Sequence, residues 1–116
     1  MSDRPDNPAL CTQYHQAVEL IGRLWAGAII FVLMSGRVRY ATLKESIPDI
    51  TDRMLSERLR ELEEAGIVAR HVTPDIPVRV EYELTPKGRS LEKSVSAIRE
   101  WASRWIPAPG REQRSA

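Results

Sequence analysis

The hydrophobic residues of this chain recur at helical spacing in its first half, alternate in one later segment, and return to helical spacing near the end. The first stripe predicts a helix over residues 12–21 and consists of Tyr14, Ala17, Val18 and Ile21. Residues 25–34 are apolar nearly all round, which is typical of a helix at the centre of a domain. The pattern therefore predicts a surface helix followed by a buried one.

A short helix predicted at 40–46 is separated by a proline-containing break from a longer helix at 52–65. Thr51 is a suitable N-cap for the longer helix, because its hydroxyl can accept from free amides of the first turn. The buried stripe of that helix consists of Leu55, Leu59 and Leu62. Gly66 stands where a left-handed helix end is expected. Two helices joined by a tight turn predict a helix-turn-helix.

Residues 78–84 alternate between apolar and charged side chains, which predicts a half-buried strand with Arg79 facing outward. Residues 68–73 are its predicted hairpin partner, and Thr85 caps a last helix that runs to about Trp105. A hairpin directly after a helix-turn-helix is a wing. The predicted fold class is therefore mainly α with a two-stranded β-hairpin, a winged helix-turn-helix.

Length, charge and cysteine usage restrict the number of domains, the class of partner and the location of the protein. A chain of 116 residues fits one domain, predicted over residues 11–105, with flexible polar tails at 1–10 and 106–116. The net charge of +1 gives no general argument for nucleic acid. The single Cys11 cannot form an internal disulfide, and no secretory leader or membrane-length apolar run is present. We therefore expect a cytoplasmic protein without a membrane partner.

The longer helix carries the first candidates for DNA contact. Its N-terminal half, outside the leucine stripe, contains Asp52, Arg53, Ser56, Glu57 and Arg60. This part of the second helix of a helix-turn-helix meets base edges in the major groove. Arg53 and Arg60 can donate to guanine or hold phosphate, Ser56 can serve base or backbone, and Glu57 can accept from cytosine. An ordinary solvated face is the alternative, and an excess of acidic residues on this helix favours it.

Four further cations are candidate contacts outside that helix. Arg79 lies near the tip of a proline-stiffened hairpin and can enter the minor groove, with a cross-strand ion pair as the alternative. Arg37, Arg39 and Lys44 lie before and within the first helix of the motif, which crosses the DNA backbone. We predict that these three contact phosphate, with solvated surface charge as the alternative.

The last predicted helix carries a stripe with spacing four, three, four, three, which is typical of a coiled-coil seam. Its members are Leu91, Val95, Ile98, Ala102 and Trp105, and Trp101 widens it. The seam can pack on its own domain or on a second subunit, and two tryptophans beside a polar segment favour the second subunit. His15 and His71 lack ligand-like companions, and no phosphate loop or nucleophile–base pair is present. We therefore predict no enzyme activity, metal or cofactor.

Several segments together carry a family resemblance that spans Cys11 to Trp105. They are Cys11, IGRLW at 21–25, RYATL at 39–43, residues 50–55, LRELE at 59–63, PVRVEYELT at 77–85, and Gly88. On these residues the chain resembles the HxlR-type family of bacterial winged helix-turn-helix regulators. The family usually has a lysine where Leu24 stands, so any role of that lysine does not carry over.

The resemblance implies a homodimer formed by the first and last helices, which assigns Tyr14 and Val18 to the interface together with the seam. It also implies a recognition helix that starts at Thr51 and a wing that bears Arg79. Cys11 is implied as a candidate sensor of oxidants or electrophiles. Free amides at the N-terminus of the first helix carry partial positive charge and would stabilise the Cys11 thiolate, and a small buried apolar residue is the alternative.

These observations predict a dimeric transcriptional regulator, most simply a repressor of a neighbouring gene. It would bind an inverted-repeat, double-stranded DNA operator and respond to a small-molecule or electrophile effector. The alternative is a winged-helix module that binds another protein and never touches DNA. The near-neutral charge and the acidic recognition helix keep that alternative open.

Overall fold

The computed structural model describes the backbone of residues 8–108 and the side chains of residues 12–108. The helices are α1 Pro8–Gly22, α2 Ala26–Leu33, α3 Tyr40–Ser46, α4 Asp52–Glu64, α5 Pro86–Arg89 and α6 Glu92–Trp105. The strands are β1 Val38–Arg39, β2 Val68–Thr73 and β3 Arg79–Leu84. The predicted winged helix-turn-helix is confirmed, with α3 and α4 as the two helices and β2, β3 and residues 74–78 as the wing.

Helix α2 lies at the centre of the core, as its all-round apolar sequence predicts. Ile29, Ile30 and Leu33 are fully buried, and only Phe31 on this helix has a largely exposed side chain. The core around α2 is completed by residues from α3, α4, the strands and α6. These include Leu43, Leu55, Leu59, Leu62, Val68, Tyr82, Leu84 and Val95. The helix-turn-helix and the wing are therefore fixed to one shared core.

Helix α4 ends in the predicted left-handed turn. The amide of Ile67 donates to the carbonyl of Leu62 at 2.9 Å, and the amide of Gly66 donates to Glu63 at 3.0 Å. Gly66 has a φ of 79°, which a residue with a side chain rarely adopts. This is the Schellman pairing, and it turns the chain from α4 into β2 within three residues.

The sheet has three strands rather than the predicted two. Its order is β1-β3-β2 and all pairs are antiparallel, with Val38 opposite Tyr82 and Arg39 opposite Glu81. A two-residue strand is too short for an alternating pattern to reveal it, so only its pairing with β3 defines it. The extra strand joins the start of α3 directly to the wing.

The last helix differs from the prediction, because it is broken into α5 and α6 around Ser90 and Leu91. Gly88 explains where the break falls. A Cβ at Gly88 would lie 2.2 Å from the carbonyl oxygen of Ile67, so α5 packs directly against the backbone that follows α4. The hydroxyl of Thr85 also donates to the carbonyl of Ile67. The first turn is therefore fixed to the sheet, and α6 departs in its own direction.

The first helix begins at Pro8 rather than at residue 12, so the predicted boundary of the N-terminal tail at residue 10 was placed too late. The predicted tails otherwise lie largely outside the described residues. Among the described residues, no single helix is long and apolar enough to cross a membrane. Thr12–Gly22 and Ala26–Leu33 reach that length and hydropathy only when taken together, and they meet at an angle of 77°.

Candidate nucleic-acid interface

Helix α4 turns a polar side to solvent. The hydroxyl oxygen of Thr51 accepts a hydrogen bond from the amide of Met54 at 3.1 Å, which confirms the predicted N-cap. Because the three leucines of α4 are buried, the opposite side of the helix is exposed. The predicted contact residues on that side, all exposed or partly exposed, are Asp52, Arg53, Ser56, Glu57 and Arg60.

The two arginines on this side of α4 differ in their surroundings. Nε of Arg53 lies 3.3 Å from a carboxylate oxygen of Glu57, one turn further along. The side chain of Arg53 is 86% exposed, so water screens the pair and its contribution to stability is small. Arg60 has no ion-pair partner among the described residues. Both guanidinium groups are therefore accessible to a ligand.

Tyr40, which no sequence argument singled out, connects α3 to the start of α4. Its hydroxyl lies 3.0 Å from the Asp52 carboxylate and 3.3 Å from the Ser56 hydroxyl. Nζ of Lys44 lies 3.7 Å from the same Asp52 carboxylate. Burial raises the pKa of Tyr40, so the phenol stays neutral and can donate to Asp52. Asp52 and Ser56 thus position α4 against α3, in addition to any contact with DNA.

The wing tip combines one arginine with exposed apolar side chains. Nη2 of Arg79 lies 3.7 Å from Asp75, which belongs to the connection between the strands. Arg79 therefore lies beside a residue of the connecting turn rather than a carboxylate on the opposite strand. Ile76 is fully exposed, and Val78 is largely exposed. The tip presents a cation beside an apolar surface, without a carboxylate tightly bound to it.

A cleft of about 880 Å³ separates the wing from the start of α3. We call it the wing–α3 cleft. Arg39 and Tyr40 line it on the side of the helix-turn-helix, and Arg70, Arg79 and Tyr82 line it on the wing. The structure therefore brings two of the predicted DNA contacts, Arg39 and Arg79, to one surface.

Arg70 is a cleft residue that the sequence analysis missed. It lies opposite Tyr82 in the pairing of β2 with β3. It also follows the buried Val68 by two positions, and alternate residues of a strand lie on the same face. That spacing was the available signal, because it places Arg70 on the inward face of the wing rather than among the outward charges.

Arg37 lies on the other face of the sheet and is held by carboxylates. One of its terminal nitrogens is 2.9 Å from Glu83 and the other is 3.7 Å from Glu81. The hydrogen bond from Arg37 is the main cause that lowers the pKa of Glu83. Nε2 of His71 lies 2.7 Å from the same Glu83 oxygen, without a hydrogen bond of proper geometry in the described part of the chain. Arg37 is thus separated from the cleft and already paired.

Arg58 connects α4 to the turn that follows α1. Its Nε donates to the backbone carbonyl of Leu24 at 2.9 Å, and its Nη1 lies 3.3 Å from Glu61. Arg23 of the same turn also lies 3.7 Å from Glu61. Only 12% of the Arg58 side chain is exposed, so this is the most enclosed ion pair described for α4. The recognition helix is therefore tied to the end of α1.

The predicted seam of the last helix is divided between the interior and the surface. Val95 is only 9% exposed and belongs to the core of its own subunit, and Leu91 packs against that core. The side chain of Val95 therefore packs within its own subunit and leaves little surface for the predicted dimer interface. Ala102 is partly exposed. The remaining members are exposed and form what we call the α6 stripe: Ile98, Trp101 and Trp105.

Helix α1 is exposed along most of its length, with each residue from Thr12 to Glu19 open to solvent. Tyr14, at 73%, and Val18 are among its exposed apolar residues. The backbone of Cys11 lies within α1 rather than before it, and its side chain lies outside the described ones. Among the described residues, no group of three or more histidine, cysteine, aspartate or glutamate side chains could hold a metal ion.

Comparisons with known proteins agree with this architecture. The model of the HxlR-like helix-turn-helix family matches residues 20–109. The chain is 40% identical over 97 residues to the uncharacterized HTH-type transcriptional regulator YvaP of Bacillus subtilis, which covers 84% of this chain and 90% of YvaP. It is 43% identical over 96 residues to the HTH-type transcriptional regulator YodB of the same organism, with coverages of 83% and 86%.

A solved structure of the redox regulator HypR in its oxidized form is also similar. It superposes with a TM-score of 0.78 at 36% identity, over 83% of this chain and 99% of HypR. The names of these three proteins describe regulators rather than enzymes. The chain belongs to the HxlR-like helix-turn-helix family, whose members YvaP and YodB are named as transcriptional regulators.

Proposed function

We propose that this protein is a cytoplasmic, sequence-specific DNA-binding regulator that binds an inverted-repeat operator as a homodimer, most simply as a repressor of a neighbouring gene. The observation that carries the proposal is the exposed side of α4. Its side chains can donate to and accept from base edges, and its N-terminal half is braced by the Tyr40 hydroxyl from α3. A helix held in this way can enter the major groove without first changing its position.

The wing supplies a second contact in this proposal. Among the described residues, the guanidinium group of Arg79 has one carboxylate within 4.0 Å, that of Asp75 at 3.7 Å, and both groups are substantially exposed. Such a pair is weak, so the negative potential of a narrow minor groove can compete for the arginine. Arg53 on α4 and Arg79 on the wing would then contact neighbouring grooves of one half-site.

The homodimer is supported by the terminal helices. Trp105 is 66% exposed, and the stripe to which it belongs lies on the same subunit as the exposed Tyr14 and Val18 of α1. The α6 stripe places three large, exposed apolar residues on one helix, and a large exposed apolar patch marks an interaction surface. A two-fold dimer buries the same surface of both subunits and sets two copies of α4 to read two half-sites.

The test is binding of the purified protein to the DNA upstream of its own gene, followed by fluorescence anisotropy. Arg53→Ala should weaken operator binding by about 1–3 kcal/mol and relax specificity at one base position. Arg79→Ala should weaken binding to all sequences. Lys93→Ala removes the same charge from α6, away from the wing, and is the matched control. Unchanged operator affinity after both arginine substitutions would favour the protein-interaction alternative.

A response to oxidants or electrophiles through Cys11 is a second part of the proposal. It is supported by similarity to HypR, which is named as a redox regulator, and by a cysteine in the first helix of this chain. Diamide should release wild-type protein from DNA and leave the Cys11→Ser variant bound. Equal release of the two proteins would show that any signal enters elsewhere, for example as a small molecule between the subunits.

A further inference from the structure

The wing–α3 cleft is lined by three arginines and by one carboxylate, Asp75, which lies beside Arg79. Arg39 and Arg70 both line the cleft, and neither has an ion-pair partner among the described residues. The other predicted DNA contacts that do lie within 4.0 Å of a carboxylate are Arg37, Lys44, Arg53 and Arg79. An anion that enters the cleft can therefore bind either guanidinium group without displacing a carboxylate from it.

The position of Arg70 follows from how far the helices cover the sheet. At the base of the wing, Val68 and Leu84 lie opposite each other and are buried in the core. Two residues further along the same face, Arg70 lies opposite Tyr82, and Arg70 is exposed. The inward face of the hairpin is thus buried at its base and open to solvent nearer its tip. It opens beside Arg39, which immediately precedes α3.

We infer that the wing–α3 cleft holds the sugar–phosphate backbone of one DNA strand, with Arg70 as a phosphate contact in addition to Arg39. This inference rests on the proposed DNA-binding function and assigns two parts of that function to two different surfaces. The cleft supplies sequence-independent affinity, and α4 supplies discrimination between sequences. The first helix of a helix-turn-helix crosses the DNA backbone, so a DNA strand would pass the start of α3. The planar guanidinium group of arginine matches the geometry of phosphate oxygens.

This division accounts for the acidic residues of α4. Carboxylates such as Asp52 and Glu57 repel phosphate, so a helix that carries them is poorly suited to bind the backbone. They can instead accept hydrogen bonds from the amino groups of bases or hold neighbouring side chains, as Asp52 holds Tyr40 and Lys44. An acidic recognition helix is therefore compatible with DNA binding when a separate cleft binds the phosphates.

The experiment compares two duplexes of equal length, one with the operator and one with the same bases scrambled. Affinities of wild type and of the Arg39→Gln/Arg70→Gln double variant are measured by anisotropy over a series of salt concentrations. Each lost phosphate contact should reduce the steepness of log affinity against log salt by about 0.9. The double variant should therefore bind both duplexes more weakly, with the ratio between them unchanged.

Two further variants separate the cleft from α4. Arg53→Gln should lower the ratio of operator to scrambled affinity by roughly 5- to 150-fold. Lys93→Gln, which removes an exposed charge on α6, should change neither the slope nor the ratio. The inference is overturned if the double variant keeps the wild-type slope, or if its loss falls on the operator alone. If wild type binds neither duplex, the proposed function itself fails, which is a separately recognisable result.

Discussion

Ile29, Ile30 and Leu33 of α2 are fully buried within one subunit, whereas Trp105 of α6 and Tyr14 of α1 expose most of their side chains. Both regions are helical and rich in large apolar residues. The difference is that α2 is surrounded by other elements of the same chain, while no element within residues 8–108 packs over the outer faces of α1 and α6. A single subunit thus completes its core but leaves its terminal helices with apolar surface that a partner can bury.

This comparison predicts the largest effect on stability for a residue in the α2 core. Leu59 of α4 is almost fully buried. Leu59→Ala should lower the free energy of unfolding by about 2–5 kcal/mol, because it removes apolar contacts and leaves a cavity. Denaturant unfolding followed by circular dichroism measures this loss. A change below 1 kcal/mol would mean that the core relaxes around the cavity, contrary to the close packing described above.

A smaller effect is expected for a residue that is exposed but still belongs to the fold. Thr51 is exposed, and its hydroxyl oxygen caps α4. Thr51→Ala should cost about 1 kcal/mol of unfolding free energy, because an amide of the first turn loses its acceptor. Thr42→Ala on α3, an exposed threonine whose hydroxyl makes no described bond, is the matched control and should cost less. Equal losses of unfolding free energy in the two variants would show that the Thr51 hydroxyl does not stabilise α4 as a cap.

The smallest effect on folding, and the largest on assembly, is expected for the α6 stripe. Ile98→Ala with Trp105→Ala removes no residue of the buried core, so circular dichroism of the subunit should be unchanged. The dissociation constant of the dimer, measured by analytical ultracentrifugation, should rise at least about 30-fold, as expected for loss of an interface hot spot. Ile76→Ala with Val78→Ala, which removes apolar side chains that are also exposed but lie on the wing, should leave the dimer intact. A dimer that resists the α6 substitutions would require another interface.

The parts of the fold that were predicted correctly depend on neighbours in the sequence. The cap at Thr51, the leucine stripe and the Gly66 turn are all local signals, and the bounds of α4 follow from them. The third strand was not predicted, because Val38 becomes a strand residue only by pairing with Tyr82, far along the chain. The break after α5 was also missed, because it depends on the contact between Gly88 and the backbone of Ile67.

The candidate site was predicted to a similar extent. Residues of the exposed side of α4 were identified by helical periodicity, and Arg79 by alternation along its strand. Arg70 was missed because its position depends on where the helices cease to cover the sheet. Arg37 was grouped with Arg39 as a neighbour in sequence, yet Arg37 is held by Glu81 and Glu83, whereas Arg39 lines the cleft and has no ion-pair partner among the described residues. Side chains two residues apart can thus have unrelated surroundings.

The contact between Arg58 and the carbonyl of Leu24 has a consequence for the spacing between two recognition helices. Because a largely enclosed guanidinium bridges α4 to the turn after α1, a shift of that turn would move α4 with it. In a dimer assembled through α1, the distance between paired α4 helices would then be set by the angle at which the first helices meet. A bend of a few degrees there would be amplified along the lever arm into ångströms at the DNA, enough to mismatch half-sites separated by one turn of the duplex.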